Sequence, residues 1–501
     1  MWPFTRNTSA PLLKRRRTRD VWKPAQPMFR WSGKDAWTLR NAFEGTLILG
    51  ATGSGKTSGS GRTIAESFLR AGFGGLVLTA KAEERQLWET YCRQAGRSRD
   101  LLIFGPNEPL RFGFLDYENS RSGGGAGLTE NIVNLFATVL EMAERNTGQG
   151  GGREDEGYWK RASRQLCRNL VDLLTLSTGR VSIPDLYRLL VSAPTSSEQL
   201  RSEDWKAHSF CFRCLTDADR RPKTTRQQRD LEIVADYFLL EFPELSSKTR
   251  SIIVSTFTSM VDVLQRGVVR DLFCTDTNVT PEAVEDGYIL LIDLPVKEFA
   301  EVGQFAQAIW KYCWQRSIER RNIAQSPRPV FLWADEAQTF TSSYDMQFQT
   351  TCRAARVATV YLSQNLSNFY AALGGEQKGK AETDSLFGNL NTKIFHANGD
   401  SVTNEWAATL IGRTRQFLMN ANNSYQSGDW LSELTGFGQG SQTSAGAAEC
   451  YEYEVQPSVF TTLRTGGREN RRNVDVIVFQ SGRTFADTGR TWRFHSFQQE
   501  K

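Results

Sequence analysis

Long apolar runs, paired metal ligands and internal repeats are all missing from this sequence. No stretch reaches the ~18 uninterrupted apolar residues of a membrane-spanning helix, and the start, Met-Trp-Pro-Phe-Thr-Arg, lacks the apolar core of a signal peptide. The eight cysteines are scattered, and only Cys211 and Cys214 form a CxxC pair. Without a second ligand pair, reduced and buried thiols are favoured over a zinc site. We therefore expect a cytoplasmic protein that does not itself span a bilayer.

The composition is that of a soluble globular protein, but its charge is unevenly distributed. The 501 residues are 39% hydrophobic and 23% charged, and a chain of this length is expected to form two or three domains. Residues 1–40 hold ten Lys or Arg against two Asp. We predict a basic arm over residues 1–44. It either binds nucleic acid or an anionic membrane surface, or is a solvated tail without a specific partner.

Short apolar runs separated by helical patterns indicate a doubly wound, mostly parallel α/β sheet. The predicted strands are Thr46–Leu49, Leu76–Thr79, Leu101–Phe104, Tyr288–Leu294, Val330–Asp335, Ala358–Ser363 and Thr392–His396.

Between residues 125 and 245 this alternation stops and helical patterns take over. Ile132, Leu135, Phe136, Val139 and Leu140 form one apolar stripe. We predict an inserted all-α domain over 125–245, flanked by the two parts of a motor domain at 45–124 and 246–501. The Ser-, Gly-, Asn- and Gln-rich segment 420–448 is predicted to be a mobile loop.

A phosphate-binding loop follows the first predicted strand. Residues 50–57 read Gly-Ala-Thr-Gly-Ser-Gly-Lys-Thr and fit GxxxxGK[ST]. Glycines let successive N–H groups converge on one phosphate, and the following helix adds its positive dipole end. Lys56 is predicted to reach the β- and γ-phosphates, and Thr57 to bind Mg²⁺. The predicted ATP-binding residues are Gly50, Thr52, Gly53, Ser54, Gly55, Lys56 and Thr57.

Two adjacent acids end the strand that begins at Val330. Asp335 is predicted to hold the magnesium, and Glu336 to orient and deprotonate the attacking water. An acidic helix start after a buried strand is the ordinary alternative. Gln364, at the tip of the next strand, is predicted to sense the γ-phosphate or position water. This pattern indicates ATP hydrolysis rather than nucleotide binding alone.

With the loop at 50–57, the acids Asp335 and Glu336, and Gln364 in this order, the sequence resembles the TraG/TraD-like coupling proteins of type IV secretion and conjugation. These proteins are P-loop motors related to HerA and FtsK. The resemblance runs from about residue 44 to the C-terminus. It includes Lys81 and Glu83 after the second strand and Phe112–Asp116. The family more often has Asp-Pro-Lys-Gly-Glu where Thr79–Glu83 stands here.

The resemblance implies a RecA-like motor fold and a ring-forming DNA translocase. The implied partners are DNA, single-stranded in the first instance, a relaxase or other DNA-processing protein, further copies in a homo-hexamer, and a membrane secretion subunit. Arg353 stands eleven positions before Gln364, where the family places an arginine finger, and is preferred to Arg356. Most members carry membrane helices before the motor; here a basic arm precedes it.

Three other functions stay open at this point. A HerA/FtsK-like pump for packaging, repair or phage defence would use the same motor motifs. A nucleotide-gated adaptor would bind ATP without pumping, and Glu336 argues against it. A metabolic kinase is disfavoured by the helical segment and the basic arm.

Overall fold

A computed structural model describes residues 21–121, 124–146, 154–425 and 441–500. The strands in these residues are β1 (Pro27–Arg30), β2 (Ala36–Thr38), β3 (Thr46–Leu49), β4 (Gly74–Leu78), β5 (Leu101–Phe104), β6 (Ile289–Ile292), β7 (Val330–Ala334), β8 (Val357–Ser363), β9 (Thr392–Phe395), β10 (Arg413–Tyr425), β11 (Ser441–Tyr453), β12 (Asn473–Gln480) and β13 (Trp492–Gln498).

The α-helices follow the same order along the chain. They are α1 (Leu39–Phe43), α2 (Arg62–Arg70), α3 (Glu83–Gln94), α4 (Phe114–Ser120), α5 (Thr129–Asn146), α6 (Glu154–Thr178), α7 (Ile183–Val191), α8 (Glu203–His208), α9 (Phe210–Arg220), α10 (Thr225–Asp236), α11 (Phe242–Glu244), α12 (Ser247–Leu264), α13 (Gly267–Phe273), α14 (Val296–Arg320), α15 (Ser343–Thr351), α16 (Leu366–Ala372), α17 (Gly375–Gly388) and α18 (Ser401–Ile411).

The chain forms two compact units. The first unit comprises the described parts of Met1–Ile48, Ser60–Ser363 and Asn368–Thr392, and the second unit those of Leu49–Gly59, Gln364–Ser367 and Lys393–Lys501. These units are defined by their internal contacts. The domain boundaries predicted at residues 44, 124 and 245 stay a prediction.

The first unit is built on a sheet with the strand order β3-β8-β7-β4-β6-β5, in which neighbouring strands from β8 to β5 pair in parallel. Leu76 of β4 lies opposite Leu290 of β6 on one side and Leu332 of β7 on the other, in parallel register. Every residue of β4, β6, β7 and β8 is buried. Such unbroken apolar strands are typical of a sheet covered by helices on both faces, and each predicted strand is found within two residues of its expected ends.

Residues 21–44, predicted as part of the basic arm, are ordered in the first unit; residues 1–20 lie outside the described residues. β1 and β2 form an antiparallel hairpin that leads into α1. Trp22, Trp31 and Trp37 are buried, and the Trp37 indole donates to Thr392 Oγ1 over 3.2 Å. Burial of aromatic surface, which outweighs the local positive charge, is the physical reason that this half of the segment packs.

Helices alone connect β5 to β6 among the described residues of this part of the chain. Ile132, Leu135, Phe136 and Val139 on α5 are buried, in agreement with the predicted stripe. Ser182 caps α7 by accepting a hydrogen bond from the Asp185 N–H, as its sequence predicts. The helices continue past the predicted boundary at 245, through α12 and α13.

The second unit contains β9, β12 and β13 in the order β13-β12-β9, with β12 and β13 antiparallel. It also contains a separate two-stranded antiparallel sheet of β10 and β11. In this sheet Arg413 lies opposite Tyr453 at one end, and Tyr425 lies opposite Ser441 at the other. The prediction of a mobile loop over the whole of 420–448 is therefore wrong. Both ends of that segment are strand, because backbone pairing across the hairpin does not need an apolar pattern, and residues 426–440 lie outside the described residues.

Within the described residues, no single helix combines the length and hydropathy of a membrane span. α12 and α13 pass this test together by length and composition, but they are bent by 81° at the break between them.

Candidate nucleotide site

The predicted phosphate-binding loop, in the second unit, has the backbone that its glycines predict. Gly53 and Gly55 adopt left-handed conformations, with φ of 75° and 82°. At Gly50 a Cβ would lie 2.5 Å from His396 Cβ and 2.6 Å from Ser54 Oγ, so no other residue fits without displacement. Residues Thr57–Gly61 form a π-helical turn, and α2 becomes α-helical only at Arg62.

The Lys56 side chain folds back onto the start of the predicted phosphate-binding loop. Its Nζ donates to the carbonyl oxygens of Gly50, at 2.6 Å, and Ala51, at 3.0 Å. These bonds hold the ammonium group at the loop rather than in solvent. A cation in this position can bind the terminal phosphates of a nucleotide.

His396 supports the loop from β9 and was not identified as a site residue from the sequence. It is fully buried, and its Nδ1 lies 3.2 Å from the Ser54 carbonyl oxygen. A carbonyl only accepts, so Nδ1 carries the hydrogen. Burial, with a smaller effect of the Lys56 charge, lowers the pKa of His396 to about 3, although the bond to Ser54 opposes this shift. The imidazole is therefore a neutral donor at physiological pH.

A small cavity opens beside the loop within the second unit. It has a volume of about 170 Å³ and is lined by Ala51, Thr52, Ser54, Ala397, Asn398, Gly399, Thr461 and Thr465. Ser54 Oγ is buried without a hydrogen-bond partner among the described residues. Left-handed glycines, a hydroxyl with unused hydrogen-bonding capacity and a lysine suit a phosphate group.

Gln364 is tied to this cavity through its backbone. Asn398, which lines the cavity, donates from Nδ2 to the Gln364 carbonyl oxygen over 3.0 Å, and its own Oδ1 accepts from the Asp400 N–H. The Gln364 side chain is partly exposed. The position of this residue is thus fixed by Asn398, which the motif pattern did not reveal.

The predicted acid pair lies in the first unit, at the carboxyl end of β7. Asp335 and Glu336 are both buried, and Asp335 Oδ1 accepts from the Glu336 N–H over 2.9 Å. Glu336 has a left-handed backbone with φ of 51°. For a residue with a Cβ this conformation is unfavourable, and such strain is concentrated at functional sites.

Lys81, in the loop after β4, and Glu84, in the first turn of α3, lie near the acid pair. Lys81 Nζ lies 3.3 Å from Glu336 Oε1. Although burial acts in the opposite direction, the charges of Asp335 and Glu336 raise the pKa of Lys81 above its ordinary value. The resemblance matched Lys81 and Glu83, but Glu83 is exposed, and the buried acid is Glu84.

The Glu84 carboxylate organises the loop that carries Lys81. Its Oε1 accepts from the N–H groups of Ala80 and Lys81 at 3.1 and 3.0 Å. Burial, and then the negative charge of Asp335, raises the pKa of Glu84 to about 8. Sequence position alone could not separate Glu84 from Glu83, since burial decides between them.

Arg353 lies on the turn after α15 and is half-exposed. Its NH2 group is 3.5 Å from Glu44 Oε1, within the first unit. This is the ion pair with a surface acid that an arginine without a catalytic role would also form. Arg356 has a left-handed φ of 52° and donates to the Pro327 carbonyl oxygen over 2.8 Å.

Cys211 and Cys214 are buried on α9. Burial raises the pKa of Cys211 and Cys214 above the ordinary value, which keeps both thiols protonated. Across the described ranges, no group of three or more His, Cys, Asp and Glu residues could hold a metal ion.

Comparisons with known proteins give one family match and several structural matches. Residues 329–447 match the TraG-D_C family, described as the TraM recognition site of TraD and TraG. No curated protein sequence is significantly similar to the chain.

Solved structures of a coupling protein have the same fold. The bacterial conjugative coupling protein TrwBdeltaN70 in an unbound form matches with a TM-score of 0.57 and 14% identity, over 97% of this chain and 91% of that one. TrwB with the non-hydrolysable GTP analogue GDPNP matches with a TM-score of 0.54 and 14% identity, over 97% of this chain and 91% of TrwB. TrwB with ADP and Mg²⁺ gives a TM-score of 0.54 and 14% identity, over 95% and 91%.

These matches show that the chain has the fold of TrwB, in agreement with the α/β class that the sequence predicts. The matched segment 329–447 begins just before β7 and includes Asp335, Glu336 and Gln364. The sequence match over that segment and the fold over nearly the whole chain confirm the resemblance to the TraG/TraD-like coupling proteins.

Proposed function

We propose that this chain is an ATP-hydrolysing, ring-forming motor that moves DNA for conjugative transfer or mobilisation. The observation that carries the proposal is the phosphate-binding loop, with Lys56 bonded to the Gly50 and Ala51 carbonyls beside a small polar cavity. The acid pair after β7 and the family match over 329–447 support hydrolysis and conjugation, respectively.

The proposed roles follow from the chemistry of each group. Residues 50–57 bind the phosphates of ATP through their N–H groups and Lys56. Thr57 and Asp335 would hold Mg²⁺, which when bound offsets the negative charge of the phosphates. Glu336 accepts a proton from the attacking water, and Gln364 orients that water or senses the terminal phosphate. The TrwB structures with nucleotide and with Mg²⁺ support ATP and Mg²⁺ as the ligands.

The proposed partners follow from the same family match. TraG-D_C is described as a TraM recognition site, which supports a DNA-processing protein as a partner. DNA, preferably single-stranded, a hexameric ring and attachment to a membrane secretion subunit are the further parts of the proposal. The motor itself would lie in the cytoplasm.

An ATPase assay with and without single-stranded DNA tests the proposal. We expect DNA-stimulated turnover by the full chain, and a fall of at least ~100-fold in Lys56→Ala, because the variant loses the cation at the terminal phosphates. Lys380→Ala, which removes an exposed lysine on α17, is the matched control and should keep the parental rate. ATP turnover by Lys56→Ala at the rate of the control would contradict the assignment. Turnover absent from the parent would favour a nucleotide-gated adaptor.

A further inference from the structure

Both carboxylate oxygens of Glu336 are engaged by side chains of the first unit. Oε1 faces Lys81 Nζ at 3.3 Å, and Oε2 accepts a hydrogen bond from Gln338 Nε2 over 3.0 Å. The Glu336 side chain is only 10% exposed. A buried carboxylate held by two donors has a defined direction, which is what a group that must meet a water molecule requires.

Gln338 is itself fixed from its other end. Ser363, the last residue of β8, is fully buried, and its Oγ donates to Gln338 Oε1 over 2.8 Å. The opposite amide orientation would point the Gln338 carbonyl at the Glu336 carboxylate, where two acceptors repel each other. Chemistry therefore fixes the amide: its oxygen faces the serine and its NH₂ group faces the glutamate.

The backbone that connects Glu336 to Gln338 forms a tight turn. Ala337–Thr339 form a 3₁₀ turn in which the Thr339 N–H bonds to the Glu336 carbonyl oxygen over 2.9 Å. Thr341 Oγ1 closes the following turn onto Ala337 O over 2.8 Å. The left-handed backbone of Glu336 is held by this turn, so Gln338 and Glu336 have little freedom to move separately.

We propose that Gln338 is a positioning residue for Glu336, and that Ser363, Gln338 and Glu336 form a relay from the end of β8 to the acid pair. Ser363 directly precedes Gln364 in the chain, so a shift at the end of β8 changes the donor that directs Glu336. Lys81 supplies the second contact and the counter-charge. This inference rests on the proposed role of Glu336 as the base.

The test compares steady-state ATP turnover of the full chain with that of Gln338→Met, which keeps the length of the side chain and removes its hydrogen bonds. We expect kcat to fall about 10- to 100-fold, since Glu336 loses its direction but not its chemistry. KM for ATP and the affinity for a fluorescent ATP analogue should stay within about twofold. Gln347→Ala, an exposed glutamine on α15, is the control and should match the parent.

Two further variants separate a relay from a general packing role. Gln338→Glu keeps the shape and places an acceptor against Glu336, so its kcat should be no higher than that of Gln338→Met. Ser363→Ala should lower kcat in the same direction. In the double variant Ser363→Ala/Gln338→Met, the loss should equal that of Gln338→Met alone, because both substitutions break one chain of contacts.

The outcomes distinguish this inference from the proposed function. An active parent, an inactive Glu336→Gln variant and a Gln338→Met variant with parental kcat would overturn the relay alone. The relay would also be overturned if the fold-loss of kcat in the double variant equalled the product of the losses in Ser363→Ala and Gln338→Met. If Glu336→Gln keeps the parental rate, the role of Glu336 as base is lost, and the relay is overturned with it. A lowered thermal midpoint with raised KM would assign Gln338 to packing.

Discussion

At the scale of single residues, three acidic side chains lie near one lysine at the carboxyl end of β7. Asp335, Glu336 and Glu84 are all buried, and Lys81 is the cation that the structure places against them. Buried like charges repel, so one of the acids must hold a proton or a cation must compensate. The raised pKa of Glu84, about 8, indicates that Glu84 is the acid that is protonated at neutral pH.

Glu336→Gln should bind ATP and fail to hydrolyse it. The amide has nearly the same shape but cannot accept a proton from water, while Asp335 remains to hold magnesium. We expect kcat to fall by roughly 10²–10⁴-fold, the usual contribution of a general base. Turnover and the binding of a fluorescent ATP analogue would be measured on the same preparation, and loss of binding would mean that the two acids have been assigned the wrong roles.

His396 makes the stability of the protein depend on pH. In the unfolded chain a histidine takes up a proton near pH 6.5, whereas folded His396 stays neutral down to its pKa of about 3. The stabilisation is therefore complete above pH 6.5 and is lost as the pH falls toward 3. At pH 4.5, two pH units below the unfolded pKa, the loss is about 3 kcal/mol.

His396→Asn keeps a side-chain donor for Ser54 O and removes the ionisable group. Its unfolding midpoint, measured between pH 7.5 and 4.5, should therefore fall less steeply than that of the parent. Parallel pH profiles for the two proteins would show that the parent owes none of its acid sensitivity to His396.

At the scale of elements, the N-terminal segment divides into two parts with different physics. The part up to residue 20 contains six of the ten basic residues of residues 1–40, and residues 21–44, which include the hairpin, contain three buried tryptophans. Trp22 also donates from its indole to the Ala71 carbonyl oxygen over 2.8 Å, which anchors the start of the described chain. We therefore expect a deletion before residue 21 to affect DNA binding, and a deletion that extends beyond residue 21 to affect stability as well.

Removal of residues 1–20 should weaken DNA binding and leave folding intact. Each phosphate neutralised by a lysine or arginine releases counterion, so the slope of log affinity against log salt should become shallower. A full-length chain with the six basic residues replaced by glutamine is the matched control and should behave like the truncation. Fluorescence anisotropy with single-stranded DNA measures both quantities, and an unchanged affinity and slope would remove the arm from DNA binding. Deletion of residues 1–44 should instead lower the thermal midpoint, because it removes Trp37.

At the scale of the whole molecule, the proposed ring requires each subunit to complete the site of a neighbour. Arg353 remains the candidate for this role. Its side chain is 55% exposed, and its NH2 group lies 3.5 Å from Glu44 Oε1 in the single chain. Glu44 is 16% exposed, but Arg353 is solvent-accessible and its single contact is long, so the pair is expected to contribute no more than about 1 kcal/mol. The proposed movement of Arg353 to a neighbour's nucleotide therefore has a low cost.

A mixing experiment tests Arg353 across the interface. Arg353→Ala subunits should hydrolyse ATP slowly, since an arginine finger can contribute ~10³–10⁵ in rate. Mixed with Lys56→Ala subunits, they should regain part of the activity, because an intact phosphate loop then meets an intact arginine. Arg356→Ala subunits provide the comparison. Full activity of Arg353→Ala alone, or no recovery in mixed rings seen by negative-stain microscopy, would contradict the assignment.

The sequence by itself determined the features that depend on neighbouring residues. The phosphate loop at 50–57, the buried strands and the acids after β7 follow from local spacing and apolar runs, because backbone geometry and strand burial are encoded within a few residues. The cap of α7 at Ser182 was predictable for the same reason. The fold then agreed with the predicted strands, whereas the roles of the loop and of the acids stay predictions.

Only the tertiary structure decided which distant residues meet at the predicted phosphate-binding loop and which meet at the acid pair. His396 meets Ser54 across 342 positions of sequence, and Lys81 meets Glu336 across 255. The choice of Glu84 over Glu83 and the burial of Trp37 depend likewise on what packs against them. No local pattern encodes such contacts, because they arise when strands far apart in the chain become neighbours in a sheet and bring their loops together.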